Sequence, residues 1–309
     1  MIANFKNTEN GLTRLAEPVS GCWINVVNPS PDEIAQLQAL SIPQDYLTYP
    51  LDLDERSRTE RENGELLVVL RIPCFQGETS DIPYTTIPLG IILTSQYIIT
   101  VCKRDNEIIQ ELIAGRVRSL STGKRLRFVL YILLSTATKY LTYLRHITKT
   151  VDALEDQLQL STRNKEVLEL LKYQKSLTYF TTALKSNELM MERLQRSQLF
   201  RTYPEDEDLL EDVITENQQA IEMTNITSNI LSSMMDAFAS IISNNLNTVM
   251  KFLASVTIML SLPTIVASFF GMNVHLPFEG HTAAFVLILG ITFLISASAA
   301  YIFWKRDWF

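Results

Sequence analysis

Asn247-Thr248-Val249-Met250-Lys251, then the apolar run Phe252 to Phe270 (FLASVTIMLSLPTIVASFF), then Gly271-Met272-Asn273, is the stretch whose reading decides the architecture. Phe252 to Phe270 contains no Asp, Glu, Lys or Arg. At 1.5 Å per residue a helix of that length reaches about 28 Å, enough to cross a hydrocarbon core. Steps of four and three residues pick out Asp236, Ser240, Ser243, Asn247, Met250, Ala254, Thr257, Ser261, Thr264, Ser268 and Gly271. Nearly all of these are polar or small, a heptad-spaced seam. The positions between them, among them Phe252, Val256, Ile258, Leu260, Ile265 and Phe269, are apolar. One wet seam on an otherwise apolar helix suits a pore wall, provided several copies surround one axis. It also suits close packing, because small residues admit a neighbouring backbone and hydroxyls bond across the contact. Asp236 and Asn247 continue the seam below the span. Packing has no need of them, which tilts the reading toward a pore.

The chain has 309 residues, a formal charge of −7 and 20% charged residues. Its mean hydropathy is slightly positive. That mixture predicts a soluble portion joined to apolar spans. Met1 to Lys6 lacks the apolar core of a signal peptide. Cys22, Cys74 and Cys102 are odd in number and widely spaced, which reads as free thiols in a reducing compartment. With three histidines and no CxxC, zinc-site spacing is absent. The acidic balance speaks against nucleic acid as a partner. There is no P-loop, no Gly-rich phosphate loop and no nucleophile–base constellation, so an enzyme is the weakest class.

The first part reads as mixed α/β. Cys22 to Val27, Leu66 to Ile72, Ile87 to Leu93 and Tyr97 to Val101 are strand-like, the last two joined across Thr94-Ser95-Gln96. Ser30-Pro31-Asp32-Glu33 spells a capping box with proline at N1. The strands are too apolar for a sheet covered on one side, so helices are expected on both faces. Asp105 to Arg118 reads as a further helix. Long helices follow from Arg125, with a break at Ser161 to Asn164. No glycine occurs from Arg125 to Phe270. Pro204 opens a third helix whose first turn holds Glu205-Asp206-Glu207-Asp208, where carboxylates meet the positive end of the dipole. With no breaker before Pro263, it can run to Phe270. Its Ser-, Thr- and Asn-rich lower half needs neighbours, as in an oligomeric stalk. Thr282 to Trp304 is a second uncharged run. Lys251 and Lys305-Arg306 flank a loop without Lys or Arg, so both termini are expected in the cytoplasm. Asn273, at the span's exit, offers a neutral amide oxygen suited to the water shell of a hard cation, and Gly271 can leave the helix with positive φ. Asn273 could equally cap a turn.

Phe270-Gly271-Met272-Asn273, the two C-terminal spans, the basic and aromatic C-terminus and Asn247 to Lys251 together resemble the CorA family of divalent cation channels. The resemblance covers nearly the whole chain. It implies an α+β fold, a mixed sheet covered by helices, followed by long helices and two transmembrane helices in a funnel-shaped homopentamer in the plasma membrane. The expected organisation is 1–124, a cytoplasmic α/β domain; 125–203, a helical hairpin; 204–251, the stalk; and 252–270, the pore-lining span. Then come 271–281, the outer loop; 282–304, a lipid-facing span; and 305–309, a basic tail. Gly271, Met272 and Asn273 fall on the family's selectivity ring, with Glu279 as the acid of the loop at the pore entrance. Asp236, Asn247 and Thr264 match polar pore rings, and Met250 and Leu253 an apolar constriction. Thr257, Ser261 and Ser268 complete the pore lining. Asp212 falls where a regulatory Mg2+ binds between subunits. Ser261 stands where many members carry Met, and Gln76, with Glu78 nearby, stands where the partner carboxylate for Asp212 would be. The implied activity is passive uptake of hydrated Mg2+, with Co2+ and Ni2+ as further cargo, gated by cytoplasmic Mg2+. A Zn2+ transporter of the same architecture and a non-conducting membrane-anchored scaffold are the alternatives. The lack of seam His or Cys speaks against zinc.

Overall fold

The structure is a computed structural model. It describes residues 1–8, 11–117, 120–160, 164–197, 199, 203–272, 283–306 and 308; the side chains of 157–160, 164–166 and 284 lie outside that description. The chain falls into two units, Met1–Met234 and Met235–Phe309.

In the first unit β1 (Ile2–Thr8), β2 (Gly11–Leu15), β3 (Trp23–Val27), β4 (Arg58–Glu62), β5 (Glu65–Phe75), β6 (Tyr84–Leu93) and β7 (Ile98–Cys102) form one sheet. Its order is β2-β1-β3-β7-β6-β5-β4. Only β3 and β7 pair in parallel; the other neighbours are antiparallel. The helices are α1 (Pro31–Gln38), α2 (Gln44–Thr48), α3 (Glu107–Ile113), α4 (Arg125–Leu160), α5 (Asn164–Arg196), α6 (Pro204–Phe270) and α7 (Ala284–Lys305).

Both sheet faces are covered, as the apolar strands require. Leu66, Val68, Leu70 and Ile72 of β5 point to one core with Phe128 and Leu133 of α4, Met190 and Leu194 of α5, and Val213 of α6. Leu67 and Val69 point to the other, with Leu37 of α1 and Tyr46 and Leu47 of α2. Alternation along the strand therefore feeds two cores rather than one core and solvent. Tight approach at the second core is visible at Gly90 in β6. A Cβ there would lie 2.2 Å from Cγ of Pro50. The proline ring cannot rotate aside, so Gly90→Ala is expected to cost on the order of 2 kcal/mol and lower the unfolding midpoint by roughly 5 °C in a thermal melt. An unchanged midpoint would mean that Pro50 yields freely.

The expected capping box of α1 is formed, with Glu33 N donating to Ser30 Oγ at 3.2 Å and Ser30 N donating to Glu33 Oε2 at 2.8 Å. Three strands escaped the sequence reading. β4, Arg58-Thr-Glu-Arg-Glu62, has no apolar residue because it is a charged edge strand. β1 and β2 form the opposite, largely polar end of the sheet. α3 is shorter than the Asp105 to Arg118 expectation and stops at Ile113, just before Gly115 at φ +69°. Beyond the end of β4, Asn187 of α5 serves as a surrogate strand. Its Oδ1 accepts from Arg71 N at 3.0 Å and its Nδ2 donates to Arg71 O at 2.9 Å.

α6 is one helix of 67 residues with Pro263 inside it. In the first unit it buries Leu210, Val213, Asn217, Ala220, Thr224, Thr227 and Leu231. α6 and α7 are the two helices long and apolar enough to cross a membrane among the described residues.

Candidate functional site

Across the apolar part of α6, burial follows one face. Ser255 is buried, and Val256, Met259, Leu262, Pro263 and Val266 are half-buried. On α7 the half-buried positions are Ile288, Thr292, Ser296, Ala299, Ala300 and Phe303. Both sets have helical spacing, and these two helices make up most of the second unit, so each stripe is the surface that the other helix is available to cover. At about 100° per residue, Thr257, Ser261, Thr264 and Ser268 lie roughly 180° around α6 from Ser255, Met259, Leu262 and Val266. The polar seam therefore lies opposite the half-buried stripe. It lines an open groove of about 850 Å³ with Leu260, Ile265, Phe269 and Met272.

Three seam hydroxyls share one arrangement. Thr257 Oγ1 donates to Leu253 O at 2.8 Å, Ser261 Oγ to Thr257 O at 2.7 Å and Thr264 Oγ1 to Leu260 O at 3.1 Å. Each hydroxyl has a single proton, and here it is used within the helix. What the oxygens turn to the groove is lone pairs. Such a surface accepts hydrogen bonds, as the water shell of a cation would supply, and offers none to an anion.

The other sequence-selected residues are placed as follows. Asp236, Asn247, Met250 and Leu253 are exposed on α6. Gly271 and Met272 follow the helix end, whereas Asn273 and Glu279 lie outside the described residues. Gly271 departs from expectation. It does not take a positive φ. Its N–H still bonds Ala267 O at 3.0 Å, so the helical turn persists through it. A Cβ at Gly271 would sit 3.4 Å from that same carbonyl. That is ordinary contact, so within one chain a side chain would fit here.

Asp212 is exposed on α6 and makes no ion pair among the described residues. The acid run before it is not uniform. Asp206 is buried and its carboxylate accepts from Arg127 Nε of α4, while Glu205 pairs with Arg127 Nη2 at 2.7 Å. Two of the acids therefore tie α6 to its own chain and do not act as free charges facing a neighbour. Gln76 and Glu78 are exposed on the turn between β5 and β6. Among the described residues no three His, Cys, Asp or Glu side chains converge to hold a metal ion. At the other end of the spans, Lys251, Lys305 and Arg306 are exposed, Phe303 stacks on Trp308 at 5.2 Å, and Trp304 stays exposed. Aromatic and basic residues at one end of two apolar helices are the usual furniture of a membrane–water interface.

Comparison with known proteins bears on this arrangement directly. A curated protein, the cobalt/magnesium transport protein CorA of Methanocaldococcus jannaschii, is 29% identical over 298 residues, spanning 93% of this chain and 90% of that one. The complete structure of the CorA magnesium transporter from the same organism superposes with a TM-score of 0.87 at 25% identity, over 100% of this chain and 99% of that chain. A ZntB cytoplasmic domain from Vibrio parahaemolyticus matches with a TM-score of 0.60 at 13% identity, over 78% of this chain and 98% of that one, which shows a shared fold alone. The family described as CorA-like Mg2+ transporter protein matches residues 20–306. A match of that extent, on a two-faced mixed sheet followed by one long helix and two apolar spans, means that this chain belongs to the CorA-like Mg2+ transporter family.

Proposed function

We propose that five copies of the chain arrange the seam of α6 around a common axis and conduct hydrated Mg2+ passively into the cell. The observation that carries this reading is the seam itself: exposed, opposite the half-buried stripe, and carrying the Thr257, Ser261 and Thr264 hydroxyls, whose protons are used within the helix. Mg2+ gives up its waters reluctantly. A lining of acceptors can pass the ion with its shell, and no coordinating cage is needed. Gly271, Met272 and Asn273 form the outer ring, with Glu279 in the loop beside it. Met250 and Leu253 form an apolar constriction, and Asn247 and Asp236 the inner polar rings. Lys251, Lys305 and Arg306 put their end of the spans, and both termini, in the cytoplasm of a cell whose plasma membrane the protein crosses. Co2+ and Ni2+ share the route as hydrated divalent ions. A regulatory ion at Asp212 would draw ligands from a neighbouring subunit, since no group of three His, Cys, Asp or Glu side chains that could hold a metal forms among the described residues of one chain.

The test is reconstitution of the full chain in liposomes loaded with a Mg2+-sensitive dye, under an inside-negative potential. Mg2+ entry above that of empty liposomes, from particles of pentameric mass, is the expected result. Zn2+ entry without Mg2+ entry would replace Mg2+ by zinc in this reading. Entry of neither would leave only an anchored scaffold.

A further inference from the structure

Two polar groups on the half-buried stripes of α6 and α7 stand out, one without a partner among the described residues and one without its ordinary helical donor. The first is a donor. Ser255, Thr257, Ser261 and Thr264 of α6, and Thr292 and Ser298 of α7, each bond a carbonyl three or four residues back. Ser296 does not. Its Oγ is enclosed and has no hydrogen-bond partner among the described residues. The second is an acceptor. Pro263 has no N–H, so the carbonyl of Met259, four residues earlier, lacks the donor that a helix ordinarily provides. Met259 and Pro263 are both half-buried on the covered stripe of α6, and Ser296 is half-buried on that of α7. Met259 is eleven residues below the outer end of α6 at Phe270, and Ser296 twelve below the outer end of α7 at Ala284. At 1.5 Å per residue those are about 16 Å and about 18 Å along the two helix axes, comparable distances from the outer ends.

We propose that the Ser296 hydroxyl donates to the Met259 carbonyl that Pro263 leaves open, and so positions the pore helix. Neighbouring helices and their Ser or Thr side chains are the means by which membrane proteins re-satisfy a proline-freed carbonyl. Neither group has an aqueous alternative at that depth, so the pair closes when the spans settle on each other in lipid. The consequence reaches the groove because the seam lies on the opposite side of the same turn. Thr257 precedes the interrupted turn and Thr264 follows Pro263, so the bond fixes the angle between the inner and outer halves of the lining. Ser296 is a positioning residue in this account; it touches no ion. The inference rests on the pore reading for its effect on flux, but the bond itself does not.

The experiment compares Ser296→Val, which removes the hydroxyl proton, with Ser296→Thr, which matches valine in size and branching but keeps the hydroxyl, in the full reconstituted chain. Ser296→Val should slow Mg2+ uptake at least threefold and lower the thermal midpoint in detergent, while Ser296→Thr stays near wild type. Pro263→Ala restores an N–H for the Met259 carbonyl. In that background Ser296→Val should have no further effect on either readout. Equal losses from Ser296→Val in the presence and absence of Pro263→Ala would show ordinary packing and overturn the proposal, as would a harmless Ser296→Val or a Ser296→Thr as damaging as Ser296→Val. If Pro263→Ala does not assemble, the valine–threonine contrast decides alone. The thermal midpoint reports the coupling even if the chain conducts nothing, which separates failure of this bond from failure of the pore reading.

Discussion

Asn273→Ala is expected to reduce Mg2+ uptake about a hundredfold, the equivalent of roughly 2.7 kcal/mol, while the chain still assembles as wild type does. The argument begins at the end of α6. The helix closes with Gly271 N on Ala267 O, and Asn273 comes two residues later. The last carbonyls of a helix carry a partial negative charge. In the proposed assembly five such ends face the mouth, which already draws a cation. What the mouth lacks is a group that can take hydrogen bonds from the ion's water shell without binding the ion too firmly to release. In the proposed pore the Asn273 amide oxygen would supply it; alanine offers nothing, and backbone ends alone would not hold a shell in register. Asn273→Asp is the informative partner. A ring of carboxylates should raise apparent affinity and lower the maximal rate, since conduction needs a site weak enough to leave. Uptake unchanged in Asn273→Ala, with expression and oligomeric mass equal to wild type, would remove this residue from the mechanism.

Much of this architecture was legible because its signals are local. The apolar β5, β6 and β7 announced a sheet buried on both faces, and the absence of glycine from Arg125 to Phe270 announced long helices. The seam was legible as a period. What was not legible depends on partners distant in sequence. Nothing in Arg58-Thr-Glu-Arg-Glu62 marks a strand until β5 is beside it. The pairing of Asp206 with Arg127, 79 residues apart, turns part of an apparently free acid run into a tie within the chain. Gly271 was read for its freedom to take a positive φ, but its backbone stays helical because its N–H still finds the Ala267 carbonyl. The contact face of α6 was equally hidden: periodicity separates polar from apolar positions, yet it does not say which apolar positions α7 covers.

That division of faces gives the second large effect. A cysteine at Ser261 or Thr264, once coupled to a cationic methanethiosulfonate, is expected to stop uptake almost completely. Val286→Cys on α7, 71% exposed and outside the α6 contact, is expected to leave it unchanged. The background needs little alteration. Cys22 and Cys102 are buried, and burial raises both thiols, Cys102 to about 11, so neither presents much thiolate at neutral pH. Half-buried Cys74 is replaced by serine. A fixed unit charge about 7 Å from a divalent ion, at an effective dielectric near 20, opposes it by roughly 5 kcal/mol, more than a thousandfold in occupancy. Several modified subunits around one axis add to that barrier. A neutral reagent of similar size separates charge from bulk: if the groove is wide enough for a hydrated ion, it should slow uptake far less than the cationic one. Labelled Ser261→Cys protein that conducts as before would place the ion's route elsewhere and return the seam to a packing role. Selective loss at Ser261 and Thr264, with Val286 indifferent, is what a conducting groove opposite the α7 face requires.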